Sequence, residues 1–198
     1  MKQIRLLLVL STLVAAAASP ASGQESRDGR LSVGVGLLTA PDIVDALNSA
    51  VLTAFTLGSH TIENRSGNLG LSVQYERFLG GPFALLGGAG FQRTEGEIFS
   101  GGAKKGTLSS RYFYLMAGGS VHYLRRRVGL FSSLAVGGAH DHDEAEMVGG
   151  EKNTNSAIRP AFQVTALGIR GGGRNLSGFM EMGFGYRGML VFGVAYEF

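Results

Sequence analysis

From Leu31 to Phe198, apolar side chains recur at every second position over most of the chain, the period of a strand with one face in an apolar medium. Eight runs carry the pattern: Leu31 to Ala40, Leu69 to Leu79, Phe83 to Ile98, Ser110 to Leu124, Val128 to Ala139, Ala157 to Arg170, Leu176 to Tyr186 and Met189 to Phe198. Each is long enough for a tilted strand to cross a bilayer, which takes about 9–11 residues. The connections alternate in length. Pro41 to Asn68 is long, Gly80-Gly81-Pro82 tight, Ser100 to Ser109 long, Arg125 to Arg127 tight, His140 to Ser156 long and Gly171 to Asn175 tight. That is the rhythm of extracellular loops and periplasmic turns. Arg187-Gly188 breaks it by being short where a long loop is due.

The two faces of each run differ in kind. Leu71, Val73 and Tyr75 oppose Ser72, Gln74 and Glu76; Phe162, Val164 and Ala166 oppose Gln163 and Thr165; Met180, Met182 and Phe184 oppose Phe179, Glu181 and Gly183. In the last run Leu190, Phe192, Val194, Tyr196 and Phe198 oppose Val191, Gly193, Ala195 and Glu197. The second face is rich in Gly, Ala and Ser (Gly34, Gly36, Gly88, Gly90, Gly118, Ser120) and poor in Lys. A water-facing surface would not have that composition, whereas a narrow packed interior would. The expected fold is therefore all-β: an eight-stranded antiparallel transmembrane barrel, apolar outside, its lumen filled by side chains and too narrow for a diffusion pore. On this reading the final strand, running to Phe198 with no polar tail, closes the barrel against the first, since an unpaired edge in lipid would strand several backbone groups.

Parity places Gln74, Glu76, His122, Arg159, Glu181 and Glu197 on the inner face, an expected polar network in which the carboxylates find partners. The first long connection has helical rather than strand period. Ile43, Leu47, Val51 and Phe55, with Ala50 and Ala54, share one face; Pro41 opens the helix and Gly58 closes it. Such a helix would cap the barrel mouth or lie in the membrane interface.

The first 23 residues carry Lys2 and Arg5, then an uncharged run from Leu6 to Ala18, then small residues. This is the form of a secretory signal peptide, too short for a spanning helix, and it divides the chain into 1–23 and one barrel domain, 24–198. Its removal lowers the formal charge from +3 to +1, so charge gives no argument for nucleic acid as a partner. With no cysteine, the chain has neither a lipid acceptor nor a disulfide framework. The 32 glycines have no period of three, which excludes collagen, and the 44% hydrophobic share excludes disorder.

Gly193-x-x-Tyr196-x-Phe198 resembles the terminal strand signal of bacterial outer-membrane barrels. With the leader, strand count and loop rhythm, the whole mature chain resembles the small eight-stranded OmpA-like or OmpX-like barrels, and the Bacteroidetes-type barrels with a helical first loop. The resemblance implies the outer membrane as location, lipids and surface glycolipid as neighbours, and a passing contact of Gly193, Tyr196 and Phe198 with the barrel assembly machinery. A monomer with no cofactor is expected.

Charged clusters add candidates. Arg125-Arg126-Arg127, Arg27, Arg30, Arg77, Arg170 and Arg174 fall at ends assigned to the periplasm, as interfacial anchors. In HDHDEAE, His140 and His142 beside Asp141 and Asp143 have ligand-like spacing for a divalent cation, but a single local run supplies no second segment, and a solvated loop is the plainer expectation. Some barrels of this size modify lipid A with a Ser and a His. Ser120-Val121-His122 places such a pair on one face, but toward the lumen, where a lipid has no entry. The expected role is thus structural or surface-binding and non-enzymatic; the alternatives are a lipid A-modifying enzyme and a narrow channel.

Overall fold

The computed structural model describes residues 29–41, 60–63, 69–100, 103–125, 128–147, 152–173 and 175–198. The leader 1–23 and the helix face Ile43, Leu47, Val51 and Phe55 lie outside them, as do Arg27, Arg126, Arg127 and Arg174.

Nine strands are described: β1 (Gly29–Leu37), β2 (His60–Glu63), β3 (Gly70–Phe78), β4 (Phe83–Ser100), β5 (Ala103–Arg125), β6 (Val128–Met147), β7 (Lys152–Gly172), β8 (Leu176–Gly185) and β9 (Leu190–Glu197). All pairings are antiparallel. Eight strands form a ring, β1-β3-β4-β5-β6-β7-β8-β9, and β2 adds to the distal part of β4. The ring closes between first and last: Arg30 pairs with Glu197, Val33 with Val194 and Leu37 with Leu190. Beyond that ladder, the Phe198 N–H donates to the Gly29 carbonyl at 3.1 Å and the Gly29 N–H to the Phe198 carbonyl at 3.3 Å. The eight-stranded transmembrane barrel expected from the alternation is the observed fold, and its last strand closes it. The tight turn after β3 places Gly80 and Gly81 at φ 93° and 62°, a region that L side chains rarely adopt.

The molecule is inside-out relative to a water-soluble protein. Among the described residues, buried polar and charged side chains outnumber buried apolar ones, whereas Leu, Val, Phe and Met side chains stand exposed around the outside. Exposed apolar surface on this scale has no place in water; in hydrocarbon it is the solvent-facing surface, and the ring satisfies its own backbone groups.

Strand lengths depart from the expectation. The stretches 100–109 and 140–156, read as loops, are mostly strand: β4 and β5 meet in a hairpin at Ser100 and Ala103, and β6 runs through the HDHDEAE segment to Met147. Within the long connection Pro41 to Asn68, His60–Glu63 forms β2. Apolar alternation stops where the outer face leaves hydrocarbon, but the hydrogen-bond ladder continues on polar residues such as Thr107, Ser109 and Thr154, whose cross-strand neighbours hold the register. As a result β4 to β7, of 18 to 23 residues, rise as one tall sheet, while β1, β3, β8 and β9 have 8 to 10.

Candidate functional site

Two places gather functional groups: the lumen, and the outer face of the tall sheet at the end away from the described termini.

In the lumen, Arg187 is the key group. It lies in the short connection between β8 and β9, which folds inward so closely that a Cβ on Gly36 would collide with the Arg187 carbonyl oxygen. Its backbone N–H donates to Gln163 Oε1 at 2.9 Å, and Gln163 Nε2 donates to the Gly188 carbonyl at 3.2 Å. The guanidinium then enters the barrel, with Nη1 2.8 Å from Glu181 Oε2 and 2.7 Å from Gln74 Oε1. Thr165 Oγ1 donates to the same Glu181 oxygen at 3.1 Å. The shortness of this connection, anomalous in the loop rhythm, is what holds the arginine in the lumen.

Toward the termini the chain of polar groups continues. Gln74 Nε2 donates to Glu76 Oε1 at 3.5 Å, Arg30 pairs with Glu76, Arg170 pairs with Glu197, and Arg30 Nη1 stands 3.8 Å from Glu197 Oε1. The Arg30 guanidinium lies over the rings of Phe131 and Phe78, 5.2 and 5.6 Å from their centroids. His122 sits between the same two rings, with Nε2 3.1 Å from Ser120 Oγ and 3.9 Å from Glu76 Oε2. Three buried arginines (30, 170, 187) thus balance three glutamates (76, 181, 197), as an interior must if charges are to be held out of bulk water. Two voids of about 10 Å³ each are found in the lumen, the scale of one water.

Of the residues read as an inner network, Gln74, Glu76, His122, Glu181 and Glu197 come together here. Arg159 does not. It is displaced to the tall sheet, half-exposed, with Nε 2.9 Å from Asp141 Oδ2. Arg30 and Arg170, read as headgroup anchors, are instead buried counter-ions; Arg77 does face outward. Parity alone would have placed Arg30 inside, with Ser32 and Gly34. Arg170 shares parity with the outward Phe162 and Val164, but the register shifts between Thr165 and Leu167, and this bulge turns Gly168 and Arg170 inward.

The structure divides the HDHDEAE residues between two faces. Asp141 is buried against Arg159, while His142 faces out with Glu144. His140 and His142 therefore share a face that Asp141 and Asp143 do not, and no cluster of His, Cys, Asp or Glu among the described residues could hold a metal ion. His142 ties two strands together: Nδ1 lies 2.7 Å from Ser156 Oγ, and Nε2 lies 3.1 Å from Glu144 Oε1. The His142 hydrogen bond, then the Arg111 charge, hold the Glu144 carboxyl below the usual carboxylate range. Ser120 and His122, the pair weighed for acyl chemistry, are sealed among lumenal rings. Gly193, Tyr196 and Phe198 lie on β9 and at its end, the Phe198 ring stacked with Tyr196 at 6.2 Å and Tyr75 at 6.3 Å.

No family model matches the chain, and no curated protein matches it. Among solved structures it is similar to Ail, the attachment invasion locus protein of Yersinia pestis, in complex with the heparin analogue sucrose octasulfate. The TM-score is 0.50 with 14% identity, over 86% of this chain and 99% of that one. At that identity the likeness speaks to the fold, an eight-stranded barrel.

Proposed function

We infer that this protein is an exported, monomeric barrel of the bacterial outer membrane with a structural or surface-binding role. The termini face the periplasm, and the tall sheet of β4 to β7 projects from the cell. The observation that carries this reading is the pairing of a filled, charge-balanced lumen with a sheet that is tall on one side, β4 to β7. A lumen packed with Arg–Glu pairs gives a rigid post rather than a pore, and a polar sheet raised on one side offers contact surface beyond the lipid. The signal-like leader and the terminal Gly193-x-x-Tyr196-x-Phe198 pattern support export and insertion by the assembly machinery. The fold likeness to Ail, a protein named for attachment and invasion, agrees with a surface role without specifying a ligand.

The sealed positions of Ser120 and His122 weigh against acyl chemistry in the lumen, and the filled lumen weighs against a narrow channel. The test is fractionation of expressing cells, with gel mobility read before and after boiling and with protease added to intact cells. The reading expects an outer-membrane protein with a heat-dependent shift, cleaved within the tall sheet from outside. A soluble periplasmic protein, or a sheet cut only after the envelope is opened, would overturn it.

A further inference from the structure

On the outer face of the tall sheet, the ladder aligns side chains in rows. Phe91, Phe113, His140 and Ile158 are in register across β4 to β7. One step farther from the termini is the row Arg93, Arg111, His142 and Ser156, and one step beyond that Glu95, Ser109, Glu144 and Thr154. Apolar, basic and acidic residues thus follow one another along the strands. From Phe83 near the periplasmic turn to Arg93 is ten residues; at about 3.3 Å per residue and a tilt of about 40°, the arginines emerge roughly 25 Å above that turn, the height of the lipid-facing band of such barrels. They therefore stand in the headgroup layer, which adds roughly 5–8 Å on each side of the hydrocarbon.

Arg93 and Arg111 are directly opposed across the β4–β5 ladder, an arrangement of like charges that by itself destabilises a strand pair. Each is braced from the acidic row: Arg93 Nη2 is 2.6 Å from Glu95 Oε1, and Arg111 Nη2 is 3.6 Å from Glu144 Oε2. A guanidinium has five donors, and one carboxylate contact leaves others available; the two side chains remain 54% and 45% exposed.

We propose that Arg93 and Arg111, with an N–H of His140 at the apolar border, form a site for the phosphate of an anionic glycolipid in the outer leaflet. This inference rests on the outer-membrane reading above. The phosphate would relieve the repulsion between the two arginines, the acyl chains would lie along Phe91, Phe113 and Ile158, and the acidic row above would exclude a second anion. The committed source is a membrane lipid, because the apolar row adjoins the arginines on the side away from water.

The test places the full mature chain in uncharged phosphatidylcholine vesicles doped with lipid A or with lipid A stripped of its phosphates, and measures retained lipid by native mass spectrometry. Wild type is expected to prefer the phosphorylated lipid. The Arg93→Gln/Arg111→Gln variant is expected to lose roughly 30-fold in that preference, about fivefold per arginine near a charged surface. Lys104→Gln/Lys152→Gln, which removes the same charge higher on the sheet, is expected to keep the preference. Equal retention by wild type and the arginine variant, equal loss in both variants, or displacement by millimolar inorganic phosphate would each overturn the proposal. Insertion is read in parallel by the heat-dependent gel shift. A barrel that inserts without phosphate preference refutes this site alone, and one that does not insert refutes the outer-membrane reading beneath it.

Discussion

Replacing Arg187 by Ala tests whether the lumen is held by its ion pairs. Arg187 supplies the counter-charge to Glu181 and donates to Gln74, both buried. Truncation would leave a buried carboxylate with only the Thr165 hydroxyl among these contacts, and breaking a buried pair by removing one partner costs about 3–5 kcal/mol. The double variant Arg187→Met/Glu181→Leu removes both charges and refills the space, and such replacements of a buried pair are often neutral or stabilising. The expected outcome is a strongly non-additive cycle, with Arg187→Met and Glu181→Leu each destabilised by a few kcal/mol and the double variant near wild type. Reversible urea unfolding in phospholipid vesicles, followed by the heat-dependent gel shift, measures it. Additive losses, or a single-variant cost below about 1 kcal/mol, would mean that water reaches the pair and that the packed, charge-balanced interior is wrong.

Three further outcomes follow from the same geometry. Deleting Phe198 removes the two backbone bonds to Gly29 and the ring stack on Tyr75, so insertion kinetics should slow and the folded gel band weaken, whereas Thr154→Ser on the tall sheet should leave both unchanged. Val194→Arg, near the middle of the outward face of β9, should cost about 2–4 kcal/mol in vesicles, while Thr154→Arg on the tall sheet should cost under about 0.5 kcal/mol. Glu144, its pKa lowered by His142 and Arg111, should stabilise its strand pairing above the ordinary carboxylate range and lose that contribution as pH falls through its own lowered value. Carboxyl NMR titration should show the depression and its reduction in His142→Ala; an unchanged titration in the variant would contradict the assigned cause.

Much of the barrel was legible in the chain because hydrocarbon imposes one rule on every residue facing it. Leu71, Val73 and Tyr75, or Phe192, Val194 and Tyr196, could not be arranged otherwise on closed strands. The tall sheet was not legible, because above the lipid that rule ends and Thr107 or Thr154 reads equally well as loop. The site was half legible. Parity found Gln74, Glu76, Glu181 and Glu197 but not their counter-ions: Arg170 was hidden by a bulge, and Arg187 by a turn whose inward fold depends on the close approach of Gly36. Arg30 obeyed parity and was misread because a basic residue near a strand end was taken for an anchor. The Arg93–Arg111 row emerges only from register, which fixes neighbours that no single strand reveals.

The most direct test of the central claim, an apolar face turned to lipid, exploits the absence of cysteine. Single cysteines at Val33, Val136 and Val194, and for comparison at Glu95 and Glu146, would carry a spin label in the vesicle-inserted protein, with collisions measured against oxygen and a water-soluble nickel chelate. The account predicts oxygen-accessible, nickel-shielded labels at the three valines and the reverse at the two glutamates. Nickel collisions at Val33 and Val194 as frequent as at Glu146 would contradict it.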